Sequence, residues 1–165
     1  MGCRGVHFAL TDEDVAAIRA HKNGSDRRYY VTDIIEVREF GGPWACETDL
    51  AWDAIHRCFC NGKLNWEVGE YPLNHVIFGG ERLHSGDDFI MSLKTPAQAA
   101  AIAKAMSTVT RDQLRARYNQ IDTREYLMAL SEIDFGYTWE LFSGLVDFFD
   151  RASKAGRYVL FTAGQ

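Results

Sequence analysis

Trp52 and His56 stand four residues apart in the stretch Leu50 to Phe59. On a helix that spacing makes them neighbours on one face, where an imidazole beside an indole could form the wall of a small-molecule cleft. The alternative is a core histidine, its ring packed and its N–H donated to a backbone carbonyl. His75 follows, and beyond Gly79-Gly80 a polar loop carries Arg82, His84, Asp87 and Asp88. In that loop an imidazole and a carboxylate can exchange a proton, and Arg82 can hold an anion. The competing reading is an ordinary surface connection, since a few polar residues between two strands need no function.

A second group lies late in the chain, where Asp122, Glu125, Glu132, Asp134 and Glu140 mix with Tyr126, Tyr137 and Trp139. Carboxylates beside amphipathic rings suit a protein partner or a sugar-like ligand, and Asp134, Tyr137 and Trp139 are the partner-binding candidates. Four cysteines are present, but Cys58 and Cys60 are two apart and no second pair completes a zinc site. They are expected to be reduced, buried thiols. His56 and Cys60 have helical spacing for two metal ligands, yet no third is in view, so no metal and no cofactor are expected. The chain has no GxGxxG or GxxxxGK[ST] phosphate loop, no GxSxG elbow, no HExxH helix and no EF-hand loop.

The elements that must position these residues follow from patterning. Gly5 to Leu10 reads as a strand, and Thr11 caps the helix after it, whose first turn is acidic. Helical spacing from Tyr30 to Val37 predicts a helix ending before Gly41-Gly42-Pro43, and another runs from a cap at Thr48 or Asp49 to a left-handed stop at Asn61-Gly62. Lys63 to Leu73 is a loop. His75 to Phe78 and Asp88 to Leu93 read as strands, the second alternating Phe89, Met91 and Leu93 with Ile90, Ser92 and Lys94. Thr95-Pro96-Ala97-Gln98 and Thr110-Arg111-Asp112-Gln113 each write a capping box. Further helices are expected from Arg124 to Leu130 and from about Thr138 to Gly156, with Tyr158 to Thr162 as a closing strand buried on both faces.

These elements make one layered α/β domain over residues 1–165, a central mixed sheet covered by helices. The length suits a single core, and 47% hydrophobic with 25% charged residues is a globular composition. A net charge of -5 with scattered basic residues argues against nucleic-acid binding. No secretory leader and no run of eighteen apolar residues is present, so a cytoplasmic protein without membrane contact is expected.

The opening Met1-Gly2-Cys3-Arg4-Gly5 is one of several segments that together form a recognisable order along the chain. The others are Leu50 to His56 ending in Asn61-Gly62, Tyr71-Pro72-Leu73 before His75 to Gly80, Leu93-Lys94-Thr95-Pro96, and Phe148 to Gly156 before a last strand. In this order they resemble the YfbM-like family of bacterial proteins across nearly the whole chain. The resemblance implies a layered α/β fold, a bacterial cytoplasmic setting and a domain of unknown function, with Trp52 and His56 at its most recognisable position. It supplies no mechanism, and Leu50-Ala51 departs from the lysine-bearing approach expected before the tryptophan. Acidity, clustered aromatic and acidic residues and the missing catalytic motifs favour a protein-binding module of immunity or regulatory type, its partner a toxin or an enzyme. The alternative is a small-molecule enzyme or sensor built on the His/Trp cleft.

Overall fold

The computed structural model describes residues 3–164, so Met1 and Gly2 of the opening motif lie outside the described residues. Five strands form one sheet in the order β2-β1-β5-β4-β3. They are β1 (Gly5–Leu10), β2 (Ala45–Asp49), β3 (Glu81–Arg82), β4 (Phe89–Lys94) and β5 (Tyr158–Gly164). The layered α/β class is as read from the sequence, but the sheet expected to be mixed is antiparallel at every pairing. Chain-distant β1 and β5 pair over six residues at the centre, so no parallel crossover is needed.

Strand alternation divides the interior into two cores. His7 and Ala9, with Val159, Phe161 and Ala163, face the larger one, which is covered by α4 (Ala51–Phe59), α5 (Pro96–Met106), α6 (Arg111–Tyr118) and α7 (Glu132–Lys154). Phe8, Leu10, Met91, Leu93 and Leu160 face the smaller one, under α1 (Asp12–Ala20) and an irregular helix. That helix starts as α2 (Gly24–Tyr30), widens into a π-helical turn at Val31–Glu36 and ends as α3 (Val37–Glu39). Because both faces are covered, Ser92 and Lys94 are as buried as the apolar residues they alternate with.

The capping boxes at Thr95/Gln98 and Thr110/Gln113 form as written, each threonine accepting the amide three residues on. Thr95→Ala is expected to lower unfolding free energy by about 1 kcal/mol, read as a shifted denaturant midpoint at unchanged slope. Four expectations are corrected. Ala45 to Asp49, not assigned in the sequence, is a strand, so Thr48 gives its hydroxyl to the Gly5 carbonyl instead of capping α4. His75 to Phe78 is an irregular buried segment entered through a short 3-10 turn at Leu73–His75. Arg124 to Leu130 is a loop, pinned where Asp122 accepts both the Arg124 amide and its guanidinium. Finally, α7 starts six residues before Thr138, at Glu132, because Ser131 accepts the Asp134 amide and caps it there.

Candidate functional site

The irregular segment 73–80 crosses the larger core without a ladder partner, and buried carbonyls must then be met by side chains. His7 Nε2 donates to the Val76 carbonyl at 3.2 Å. The Lys94 amine is wholly buried and donates to the Ile77 carbonyl and to Ser92 Oγ, and Ser92 Oγ donates to the Gly79 carbonyl. Gly80 has φ 73°, and a Cβ there would lie 2.2 Å from the Leu93 carbonyl oxygen, so the segment can reach the sheet only through glycine. Burial pushes the His7 imidazole down to about 3 and holds the Lys94 amine well below its usual range. None of these polar residues was singled out in the sequence, where Ser92 and Lys94 look like one face of a strand.

Trp52 and His56 belong to the same packed region. Trp52 Nε1 donates to the Cys3 carbonyl at 2.8 Å, and His56 Nε2 donates to the Asn65 carbonyl at 2.7 Å. The His56 ring packs 4.2 Å from Phe78, which in turn stacks on Trp66 at 4.7 Å. Both residues are buried, and burial lowers the His56 imidazole to about 4. The same desolvation pushes the Cys58 and Cys60 thiols up to about 12, away from nucleophilic thiolate.

The other sequence candidates do not converge on this pair. His75 is half-buried, held by Asn74 Oδ1 at 2.8 Å and edge-on to Tyr71. Arg82 is exposed, lying over Trp66 while Nε donates to the His84 carbonyl. His84 sits among Gly24 and Phe89 of the other layer, its Nε2 2.9 Å from Asp88 Oδ1, and Arg28 binds the second Asp88 oxygen. Asp87 is exposed and Asp88 is spent on these two partners. Late in the chain, Asp134 accepts from the Tyr118 and Tyr126 hydroxyls at 2.6 and 2.8 Å. Tyr137 donates to Asp49 at 2.6 Å, and Trp139 packs on Phe142. Asp134 and Tyr137 thus tie α7 to its neighbours, while Trp139 packs on its own helix at the edge of the larger core.

Openings occur elsewhere. On the smaller-core side, the α1–α3 layer stops short of the β2 edge and leaves a groove of about 320 Å³, lined by Val6, Phe8, Glu36, Phe40, Ala45 and Glu47. A second depression of about 270 Å³ adjoins it, sharing Val6, Glu36 and Glu47 and adding Arg4. Its apolar floor is β1 and β2, and its polar groups come from three elements. Glu36 ends the π-helical turn, Glu47 points from β2, and Arg4 precedes β1, reaching Glu47 at 3.0 Å and Asp49 at 3.2 Å. Burial, and after it the Glu47 carboxylate, push the Glu36 carboxyl above the ordinary range, against a smaller downward pull from Arg4. Glu36 forms no ion pair among the described residues, whereas Arg38, two residues on, clamps the helix end to Asp14 through two bonds of 2.8 and 3.0 Å.

The irregular helix also presents its apolar side chains to solvent. Tyr29, Ile34, Val37 and Phe40 are 66%, 49%, 71% and 77% exposed, and Phe40 forms the rim of the groove. A π-turn is rare and often accompanies a functional position, because it shifts the register of the side chains that follow. Here that shift coincides with Ile35 buried in the core while Ile34 and Val37 face outward. The signal for this face was present in the sequence as two interleaved apolar sets, Val31 with Ile35 and Ile34 with Val37, more than one buried stripe needs.

A family model described as a domain of unknown function, DUF1877, matches residues 1–162. The chain belongs to that family. Among solved structures, the DUF1877-family fold seen here is similar to that of a protein of unknown function, YfbM from Escherichia coli. The TM-score is 0.71 at 18% identity, covering 97% of this chain and 99% of the other. No curated protein matches the sequence. Among the described residues, no helix is long and apolar enough to cross a membrane, and no group of three His, Cys, Asp or Glu side chains is placed to hold a metal ion.

Proposed function

We propose that this DUF1877-family chain is a protein-binding module of regulatory type, and that it docks its partner on the outer side of the irregular helix and the adjoining groove. The observation that carries this reading is the run of exposed Tyr29, Ile34, Val37 and Phe40 on one short segment, continuous with an apolar groove. Aromatic and aliphatic side chains grouped in this way provide the anchors that dominate binding energy once desolvated. Asp33, Glu36 and Glu47 lie within and around these side chains, and the whole chain is acidic. The complementary occupant is therefore a segment of another protein that is apolar and basic. The helix is held rigid beneath the face by Arg38 on Asp14 and by Val31 and Ile35 in the core, so little ordering cost is incurred on docking.

The test is competitive. A partner bound by the wild-type chain should be lost, with affinity falling about a hundredfold, in Val37→Asp/Phe40→Asp. Leu127→Asp, at a 96% exposed apolar residue on a separate loop, should bind unchanged. Equal binding by all three proteins would reject the face.

A further inference from the structure

Within this docking face, and resting on that reading of it, we infer that the groove is a receptor for one cationic side chain, a lysine or arginine of the partner held between Glu36 and Glu47 with a neighbouring apolar residue seated on Val6 and Phe8. The shape of the groove supports this. Its floor is apolar strand surface, its rim is Phe40, and carboxylates stand on two of its walls. An alkyl stem fits such a floor, since lysine and arginine bury their methylenes on apolar surface and present only the charged head to acceptors.

Charge decides the class of occupant. Glu36 is half-buried without an ion-pair partner among the described residues, while Glu47, Asp49 and Glu39 are each paired with an arginine. Arg4 binds Glu47 and Asp49 from the adjoining depression and does not form a pair with Glu36. A second cation at Glu36 would complete an alternating array, Asp49, Arg4, Glu47, partner cation, Glu36. An anionic side chain in the same place would meet Glu36 and Glu47 with no free donor beside them. A neutral apolar side chain would fill the floor but leave the Glu36 carboxylate further desolvated and still unpaired, which is costly. Arginine is favoured over lysine, because a planar fork can reach both carboxylates and stack on the Phe40 rim at once.

The probe is a random dodecapeptide library displayed on phage, selected in parallel on the wild-type chain, on Glu36→Gln/Glu47→Gln and on Val37→Asp/Phe40→Asp. Both glutamines keep side-chain volume, so the first variant is expected to fold, checked by an unchanged thermal midpoint within a few degrees. The wild type should enrich peptides carrying Arg or Lys next to an aromatic or aliphatic residue. Those peptides, resynthesised, should bind the double glutamine variant about tenfold or more weakly and lose much of their salt dependence. Enriched peptides without a basic residue, or with equal affinity for the glutamine variant, would overturn the cation receptor. If such peptides still fail on Val37→Asp/Phe40→Asp, the docking face stands without it. Enrichment of no peptide on the wild type would overturn both.

Discussion

Lys94→Ala is expected to lower the unfolding free energy at neutral pH by about 3 to 5 kcal/mol, because it leaves a cavity and strips the donor from a buried carbonyl in the same change. The Lys94 amine has no exposed surface and meets only neutral acceptors, the Ile77 carbonyl and Ser92. Lys94→Met refills the volume and removes the cost of desolvating the amine, so it should lose less than half as much. The sign of the pH dependence separates the two effects. Burial holds the folded amine well below 10.5, so over the interval between the folded and unfolded values the unfolded chain carries a proton that the folded chain lacks. Stability contributed at Lys94 is therefore fully present only above the unfolded value and falls as pH falls below it. Over that interval the wild type should gain stability as pH rises, and Lys94→Met should lack this contribution. Above about pH 9 the trend reverses, since Cys46, Cys58 and Cys60 keep their protons in the fold up to about 11, 12 and 12. Urea midpoints across this range check the prediction, and a flat wild-type profile would show the amine to be charged in the fold.

On the acid side a loss of similar size is expected. His7 and His56 are held by burial at about 3 and about 4, below the ordinary 6.5, so each is neutral in the fold and protonated in the unfolded chain over the interval between. For a base with a depressed folded value, stability is present above pH 6.5 and is lost as pH falls towards the folded value. Two such groups should remove about 3 to 4 kcal/mol between pH 6.5 and 5, at roughly 1.4 kcal/mol per unit for each proton. Carboxylates held low, such as Asp14 and Asp88, contribute only at more acid pH, whereas His75 and Lys94, also held low by burial, act in the same direction as the two imidazoles. His56→Gln should remove roughly 1.4 kcal/mol per pH unit from the slope, whatever its effect on stability at pH 7. A slope unchanged in that variant would mean that His56 is protonated without unfolding, and hence that water reaches it.

Both predictions concern residues that the docking reading does not use. The buried polar groups close the backbone of segment 73–80, while the exposed apolar groups lie across the sheet on the irregular helix. Asp134, Tyr137 and Trp139, candidates for a partner, bond or pack within the domain instead. The partner face proposed in their stead uses an apolar anchor set and two carboxylates drawn from positions 29 to 47.

Local signals were legible in the sequence wherever the physics is local. Thr95 and Gln98 need only each other and their own amides to start α5, and Asn61-Gly62 needs only its left-handed conformation, φ 54° and 78°, to stop α4. Alternation in β4 and the apolar run of β5 likewise announce strands, and the order of weak motifs was enough to place the chain in its family. Tertiary structure decided the rest. Ala45 to Asp49 lacks strand character by composition and becomes a strand because β1 offers it an edge. His75 to Phe78 has strand composition and is not one, because Gly79 and Gly80 turn it away from the ladder and side chains from β1 and β4 satisfy its carbonyls. Lys94 is charged by type and buried by position, and only the covering of both sheet faces determines that. The groove belongs to the same class: Arg4, Glu36 and Glu47 are scattered along the chain, and their meeting depends on how far the thin helical layer reaches across the sheet, a distance that no local pattern encodes.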